Sequence, residues 1–512
     1  MNITAFVFFV FIGIVALLYY IVPKKARWIV LLAANIYFLS QANDLLMNGF
    51  WLLCALVTYV GARLVEGNRE THPGRAKALA AVSVLIVIGF MIVLKDSSFF
   101  VGLYNNVTGL LGLQPAPMPS FPAPMGISYY SLIWTGYLIE VYCGTCACEK
   151  NILKFLTFCG YFPIYTAGPI VRFQDVESNI LEGHSFDYKR FTFGLQRILW
   201  GLMKKLILSE RLAIVVNKVY EDSYAYPGFY VWIAMILFVF QLYTGFSGCI
   251  DIVLDVSEML GIELPENFCF PFLAQSMSEF WRCWHITLGG WLRDYILYPI
   301  LKSDGMQKLA GRCKKRYGKK MGKSIPTWIG LLISWFLIGF WHGGQWNYIL
   351  GVGLFCGVII ITGEMLAPVF VRLKNVLKIN DKTFAYRCFQ RLRTFLLFTV
   401  ALSFFRAYDG LEQGFLVWKN GLTVYNPWIL TDGSLLRLGL DQKDINILWF
   451  FGTILAVSGI LSYVKKQSLR ELIAEQNLVF RWILYLFLLY SVIIFGCYGI
   501  NFDSAAFIYQ KF

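Results

Sequence analysis

Hydrophobic and polar positions alternate in long blocks along this chain. Apolar runs near residues 3–22, 78–94, 125–142, 228–244, 325–341, 346–368, 394–406, 446–464 and 479–499 predict membrane-spanning helices. Two shorter runs, near 28–40 and 46–61, predict a helical hairpin around the polar tip Gln41, Asn43 and Asp44. Between 150 and 300 the pattern is less regular, with Pro, Gly and charged residues inside apolar stretches. Irregular backbone survives at membrane depth only when buried in protein or beside a water-filled cavity, so function is expected in this middle region. No repeat, low-complexity tract or long polar linker divides the chain, which reads as one membrane domain over residues 1–512.

Composition supports the membrane reading. Of 512 residues, 58% are hydrophobic and only 15% charged, against about 45–50% and about 25% in soluble proteins. Mean hydropathy is +0.59. The net charge of +14 is concentrated in stretches read as loops, 23–27, 62–77, 302–323, 370–393 and 465–470. Placing these in the cytoplasm follows the positive-inside rule and leaves both termini outside. The 407–445 connection is richer in acids, with Asp409, Glu412, Asp432, Asp441 and Asp444. No nucleic-acid-binding motif accompanies the basic residues, so nucleic acid is not an expected partner; membrane lipid is. Cys143, Cys146 and Cys148 form the one cysteine cluster and lack a second pair or a nearby His, so no metal site is expected. The first run lacks a basic leader and a cleavage site and reads as a retained transmembrane helix.

Four histidines are present. His72 and His184 sit in polar stretches and read as solvated loop residues. His342 ends the apolar run Ile329 to Trp341 and precedes Gly343-Gly344. An imidazole at that depth marks either a functional site or a hydrogen bond between helices, and the glycines favour a helix break. His285 lies in a stretch rich in Trp and charge, from Ser278 to Tyr295. As one helix, it would set Trp281, Trp284 and Leu288 on the face of His285 and allow Glu279 to pair with Arg282. An interfacial anchor helix without chemistry is the alternative. Together the two imidazoles make a plausible acid/base pair, able to take a proton from a hydroxyl and return it later. No nucleophile elbow, phosphate-binding loop or dinucleotide fingerprint is present, which favours direct transfer over a covalent enzyme intermediate.

Several segments in order carry a family resemblance. They are Met125-Gly126-Ile127-Ser128-Tyr129, Tyr137 to Tyr142, Phe162-Pro163, Ala167 to Arg172, Gly201 with Lys204-Lys205, Gly261 to Phe268 and on through His285 to Asp294-Tyr295, Phe340 to Gly344, and Phe404-Phe405-Arg406-Ala407. In these the chain resembles the membrane-bound O-acyltransferase superfamily, specifically the bacterial branch of alginate O-acetyltransferase-like and D-alanyl-teichoic-acid transferase-like proteins. The resemblance implies an all-α polytopic fold, a ring of tilted transmembrane helices around a central tunnel. It implies a catalytic core over 125–407, followed over 408–512 by an extracytoplasmic loop and the last spanning helices.

It further implies catalytic roles for His342 and His285, no permanently bound cofactor, and a cytosolic thioester donor, acetyl-CoA or an acyl-carrier thioester. An extracytoplasmic polysaccharide would accept the acyl group, with an SGNH-hydrolase-like transferase or acceptor protein as partner, at a bacterial plasma membrane. D-alanyl transfer to teichoic acid is the alternative enzyme reading, and an acyl or polymer transporter the non-enzymatic one. Two positions depart from the pattern: Gly245 replaces the acid of Tyr-x-Asp-Phe-Ser-Gly, and Cys283 replaces a common Arg.

Overall fold

In the computed structural model, residues 2–498 are described; Met1, the last residue of the 479–499 run and the remainder of the C-terminal segment lie outside them. The described residues form an all-helical protein whose one strand-like element is a single antiparallel bridge. Eight helices are long and apolar enough to cross a membrane: Leu45–Arg69, Pro73–Leu110, Phe229–Met259, Asp304–Trp341, Trp346–Met365, Phe384–Phe405, Gln442–Lys465 and Leu478–Phe495. Phe6–Ile21 and Ile127–Cys143 are shorter apolar helices of 16 and 17 residues. The protein is thus a polytopic membrane protein, and each apolar run lies in a helix, although several helices run well past the predicted ends: Phe229–Met259 beyond 244, Asp304–Trp341 and Phe384–Phe405 starting before 325 and 394.

Two compact units emerge. Of the described residues the first comprises 2–207, 244–266 and 466–498. Here the predicted hairpin appears as Arg27–Ala42 and Leu45–Arg69. Asp44 caps the second helix by accepting from the Met47 N–H at 2.8 Å. Its polar tip is fastened: Asn43 Oδ1 accepts from Met125 N at 2.8 Å and its amide donates to the Tyr165 hydroxyl at 3.2 Å. The helix Ile127–Cys143 is buried along nearly its whole length, with Trp134 and Tyr137 almost fully enclosed. His184, predicted to be solvated, is instead half-buried. Its ring meets the Asn179 carbonyl at 2.7 Å, its N–H donates to the Tyr19 hydroxyl, and its own carbonyl accepts from Arg27. His72 is exposed as expected.

The second unit comprises residues 208–243 and 267–465. Within it, Asp304–Trp341 is two helical segments meeting at Gly318, whose φ of 86° breaks the helix. The basic stretch 302–323, read from sequence as a loop, is therefore helical on both sides of Gly318. Its nine bases, from Lys302 to Lys323, are all exposed. Glycine sets the packing of the next pair of helices. A Cβ on Gly339 would lie 2.5 Å from the Ile349 Cα, and one on Gly353 would lie 2.7 Å from the Trp335 carbonyl oxygen. Neither position has room for a side chain, so backbone meets backbone just before His342.

Candidate active site

The stretch around His285 does not form one helix. Met277–Cys283 and Ile286–Leu292 are separate short helices, with Trp284 extended and His285 at φ 48°, ψ 51° between them. The shared face predicted for Trp281, Trp284, Leu288 and His285 therefore does not exist. Local pairing explains the break. Phe268 bridges antiparallel to Trp284, Cys269 N donates to the Cys283 carbonyl at 3.0 Å, and Ile286 N donates to the Asn267 carbonyl at 3.1 Å. A backbone rail from 267 to 269 holds the chain open at His285. Glu279 accepts from the Gln275 N–H at 2.7 Å rather than pairing with Arg282, and Asp294 takes Arg293 as its base at 2.9 Å.

The tryptophans point into protein. Phe280 stacks on Trp284 at 5.5 Å, both meet Phe398, and Trp281 lies edge-on to Trp335 at 5.0 Å. Trp284 and Trp291 are buried. That packing belongs to a core, so the interfacial-anchor alternative fails.

His342 follows the last helical residue, Trp341, and the chain then turns on Gly343 and Gly344, whose φ values are 147° and 59°. Both glycine N–H groups fold back onto the Phe340 carbonyl, at 3.1 and 2.8 Å. This is the helix break expected from Gly-Gly. The His342 ring lies 4.9 Å from Trp341 and 5.1 Å from Phe405, edge-on to both. Trp341 also lies 6.1 Å from His285. One indole thus touches both imidazoles and brings together residues 57 positions apart in sequence. Both histidines are buried, at 3% and 5% exposure. Burial alone pushes the His285 imidazole down to about 3, so at neutral pH it is uncharged.

Sequence reasoning gave no role to several residues that build this site. Asn267 is fully buried, and its side-chain carbonyl meets His285 Nδ1 at 3.3 Å, Thr287 N at 3.1 Å and Thr287 Oγ1 at 2.9 Å. Asn347 clasps the Phe404 and Ala407 carbonyls, at 3.3 and 2.8 Å, and so places Phe405 against His342. Arg406 bonds Asn217 at 2.7 Å and stacks on Tyr408 at 4.3 Å. Asn267 stood in the quoted Gly261 to Phe268 block, yet a polar residue in an irregular segment carries no periodic signal that would mark it as buried.

A second buried polar region lies in the first unit and gathers the other quoted motifs. Lys204 Nζ meets Asp251 at 2.6 Å and donates to Ser247 Oγ at 2.9 Å. Arg197 reaches Asp251 at 2.9 Å, Asp255 at 3.2 Å and Glu266 at 2.7 Å; Arg470 reaches Asp255 at 2.8 Å and Glu258 at 2.5 Å. Gly201 and Gly248 let their two helices meet there, since a Cβ on either would lie within 2.7 Å of the other's carbonyl oxygen. With Gly245 in place of an acid, Asp251 is the acid facing Lys204 on this helix. Among the described residues no group of three or more His, Cys, Asp or Glu is arranged to hold a metal ion.

Comparison with known proteins gives the constellation its context. The profile of the membrane-bound O-acyltransferase family matches residues 149–311, a stretch that includes His285 and ends before His342. A probable alginate O-acetylase of Azotobacter vinelandii is 28% identical over 457 residues, covering 89% of this chain and 84% of its own. A peptidoglycan O-acetyltransferase of Helicobacter pylori is 24% identical, over 69% of this chain and 68% of its own. A teichoic acid D-alanyltransferase of Streptococcus thermophilus is 25% identical, over 58% of this chain and 68% of its own.

Proposed function

The chain belongs to the membrane-bound O-acyltransferase family and is a multi-pass membrane acyltransferase, and from that premise we propose that it moves an acetyl group from a cytosolic thioester toward an extracytoplasmic polysaccharide, with His342 and His285 as its catalytic residues. The observation that carries the site assignment is the pair of buried imidazoles that both lie against the Trp341 indole. Similarity to an alginate O-acetylase over 89% of the chain favours acetyl transfer. The D-alanyl alternative rests on a relative covering only 58% of it.

In the proposed reaction His342 takes the proton of the acceptor hydroxyl as its oxygen attacks the thioester carbonyl. The new C–O bond forms, the C–S bond breaks, and the proton returns to the departing thiolate. General base catalysis of this kind contributes about 10²–10⁴-fold. The donor is acetyl-CoA or an acyl-carrier thioester, and an SGNH-hydrolase-like transferase outside the membrane receives or delivers the acyl group. The setting is a bacterial plasma membrane. Nothing permanently bound is required for this chemistry.

The test supplies membranes containing the protein with labelled acetyl-CoA or with a D-alanyl-loaded carrier protein. Label passing from acetyl-CoA into polymer, and lost in cells lacking the chain, supports the reading. Label passing only from the D-alanyl carrier replaces it with teichoic acid modification. Flux of acyl groups that survives removal of both histidines would instead make the protein a transporter.

A further inference from the structure

Three arginines are buried among the described residues: Arg27, Arg211 and Arg406. Arg27 gives its guanidinium hydrogens to the carbonyls of Val22, His184 and Tyr20. Arg211 pairs with Asp444 at 3.0 Å. Arg406, at 5% exposure, meets neither a carbonyl nor an acid among the described residues. Its Nη2 donates to Asn217 Oδ1 at 2.7 Å, and its Nε is buried without a hydrogen-bond partner. Two phenol rings, Tyr408 at 4.3 Å and Tyr220 at 5.1 Å, lie against it. The acid closest in sequence, Asp409, is engaged elsewhere, accepting from Gln413 Nε2 at 2.9 Å.

A cation taken out of water needs an opposite charge or a full set of acceptors. Aromatic faces return only part of the lost hydration. A guanidinium carries five N–H donors in one plane, a fork matched to a planar carboxylate. Here one donor is spent on a neutral amide, and that amide belongs to an exposed residue, Asn217. A built-in acid would have filled the fork. An asparagine holds it in shape and leaves its charge for a ligand.

The position ties this fork to the reaction. Arg406 directly follows Phe405, whose ring lies 5.1 Å from His342 and 5.1 Å from Tyr348. With the basic segments in the cytoplasm, Phe384–Phe405 runs outward from 370–393, and Arg406 stands at its outer end. Resting on the acyl transfer proposed above, we infer that Arg406 is a preformed subsite for a carboxylate of the acceptor, which takes the place of Asn217 on the guanidinium. The acceptor is then an acidic sugar, gripped by its carboxylate while its hydroxyl is acylated.

Binding to the full-length protein in detergent tests this with a uronic acid hexasaccharide and the same sugar with its carboxylates reduced to alcohols. The uronate should bind about 10–100-fold tighter, the range for a hydrogen bond to a charged group. Arg406→Gln should erase that preference, and Arg406→Lys, which keeps the charge without the fork, should keep only part of it. Asn217→Asp covers the case in which Arg406 variants misfold. Its new carboxylate occupies the fork, so the protein should unfold at no lower temperature and lose the preference. A merely structural Arg406 predicts undiminished uronate binding in Asn217→Asp.

Equal binding of the charged and reduced sugars by the unaltered protein overturns the subsite. Tighter binding of a glycerol phosphate oligomer than of the uronate overturns the carboxylate as its ligand. In transfer assays Arg406→Gln should raise the half-saturating acceptor concentration and leave that of acetyl-CoA unchanged. A rise for acetyl-CoA instead gives Arg406 to the donor's phosphates and overturns the inference. If uronate binding follows Arg406 while no acceptor is acylated, the subsite stands and the acyl-transfer reading fails.

Discussion

Around His285 and His342 the walls are aromatic and the polar atoms few, whereas around Asp251 and Asp255 acids and bases interlock. In the first region Trp341 and Phe405 face the imidazoles, and a single amide steadies one ring. In the second, Arg197, Lys204 and Arg470 pair with Asp251, Asp255, Glu258 and Glu266 within bonding distance. Burying a charge is costly unless it is paired and hydrogen-bonded. A network whose charges are already paired is committed to holding helices together. Two imidazoles set among aromatic rings suit proton transfer instead, the role proposed for them above. The two regions use polar atoms for different ends, and substitutions should separate them.

The largest effect is expected at His342. Replacement by Ala should reduce acyl transfer about a thousandfold, within the range of general acid–base contributions. Membrane insertion and the amount of folded protein should stay unchanged, as followed by labelled-donor assay and by yield in detergent. Retained activity would remove His342 from the chemistry. Arg197→Leu should do the converse. Asp251 keeps Lys204 and Asp255 keeps Arg470, so the cost falls near the lower end for breaking a buried pair, about 3 kcal/mol. Thermal unfolding should register that loss, while activity per folded molecule stays close to the unaltered protein's. A stable Arg197→Leu protein without activity would merge the two regions functionally.

Gly339→Ala sharpens the boundary between packing and chemistry. The added methyl would sit 2.5 Å from Ile349 Cα and 2.7 Å from the Tyr348 carbonyl oxygen, so the helix carrying His342 must shift. Overpacking of this kind costs about 1–3 kcal/mol. A displaced His342 should also lower activity about tenfold, since small misplacements of a catalytic group are expensive. Unchanged activity would mean that the position of His342 tolerates movement of its helix.

How far these regions were legible in the sequence follows from what makes a pattern periodic. Long apolar runs are helices for reasons of local composition, and the end at Gly-Gly 343–344 was readable, whereas charge misplaced others: the basic stretch before 325 is helical and Phe229–Met259 runs past 244. The two histidines stood out because imidazole is rare among apolar neighbours. The break at His285 was not readable. Every residue from Met277 to Leu292 tolerates a helix locally, and the interruption comes from pairing with Phe268 and Cys269, an interaction a helical repeat does not encode. His184 looked solvated for a similar reason: its polar neighbours gave no sign of Arg27 and Tyr19 arriving from two other helices. The ionic network was hidden in the same way, because Arg197, Asp255 and Arg470 come from three separate segments.

The smallest effect is expected where charge is densest and least buried. Lys314, Lys315 and Arg316 are exposed beside the break at Gly318, and none bonds an acid among the described residues. Two roles compete for them: cytoplasmic retention of the segment beside anionic lipid, and reception of the donor's phosphates. Exposed charges interact through water at roughly 1 kcal/mol each, and salt screens them within about 8 Å at physiological ionic strength. A donor phosphate held by such side chains alone would gain little, whereas a segment kept on one face of a membrane needs only the sum of many weak attractions. Replacing all three by Gln leaves Lys302, Lys308, Arg312, Lys319, Lys320 and Lys323 in place, so orientation should survive. The half-saturating concentration of acetyl-CoA, measured at physiological salt, should then move by less than about twofold. A tenfold rise that shrinks with added salt would reassign this stretch to the donor, and the contrast between buried chemistry and buried scaffold would gain a third, exposed member.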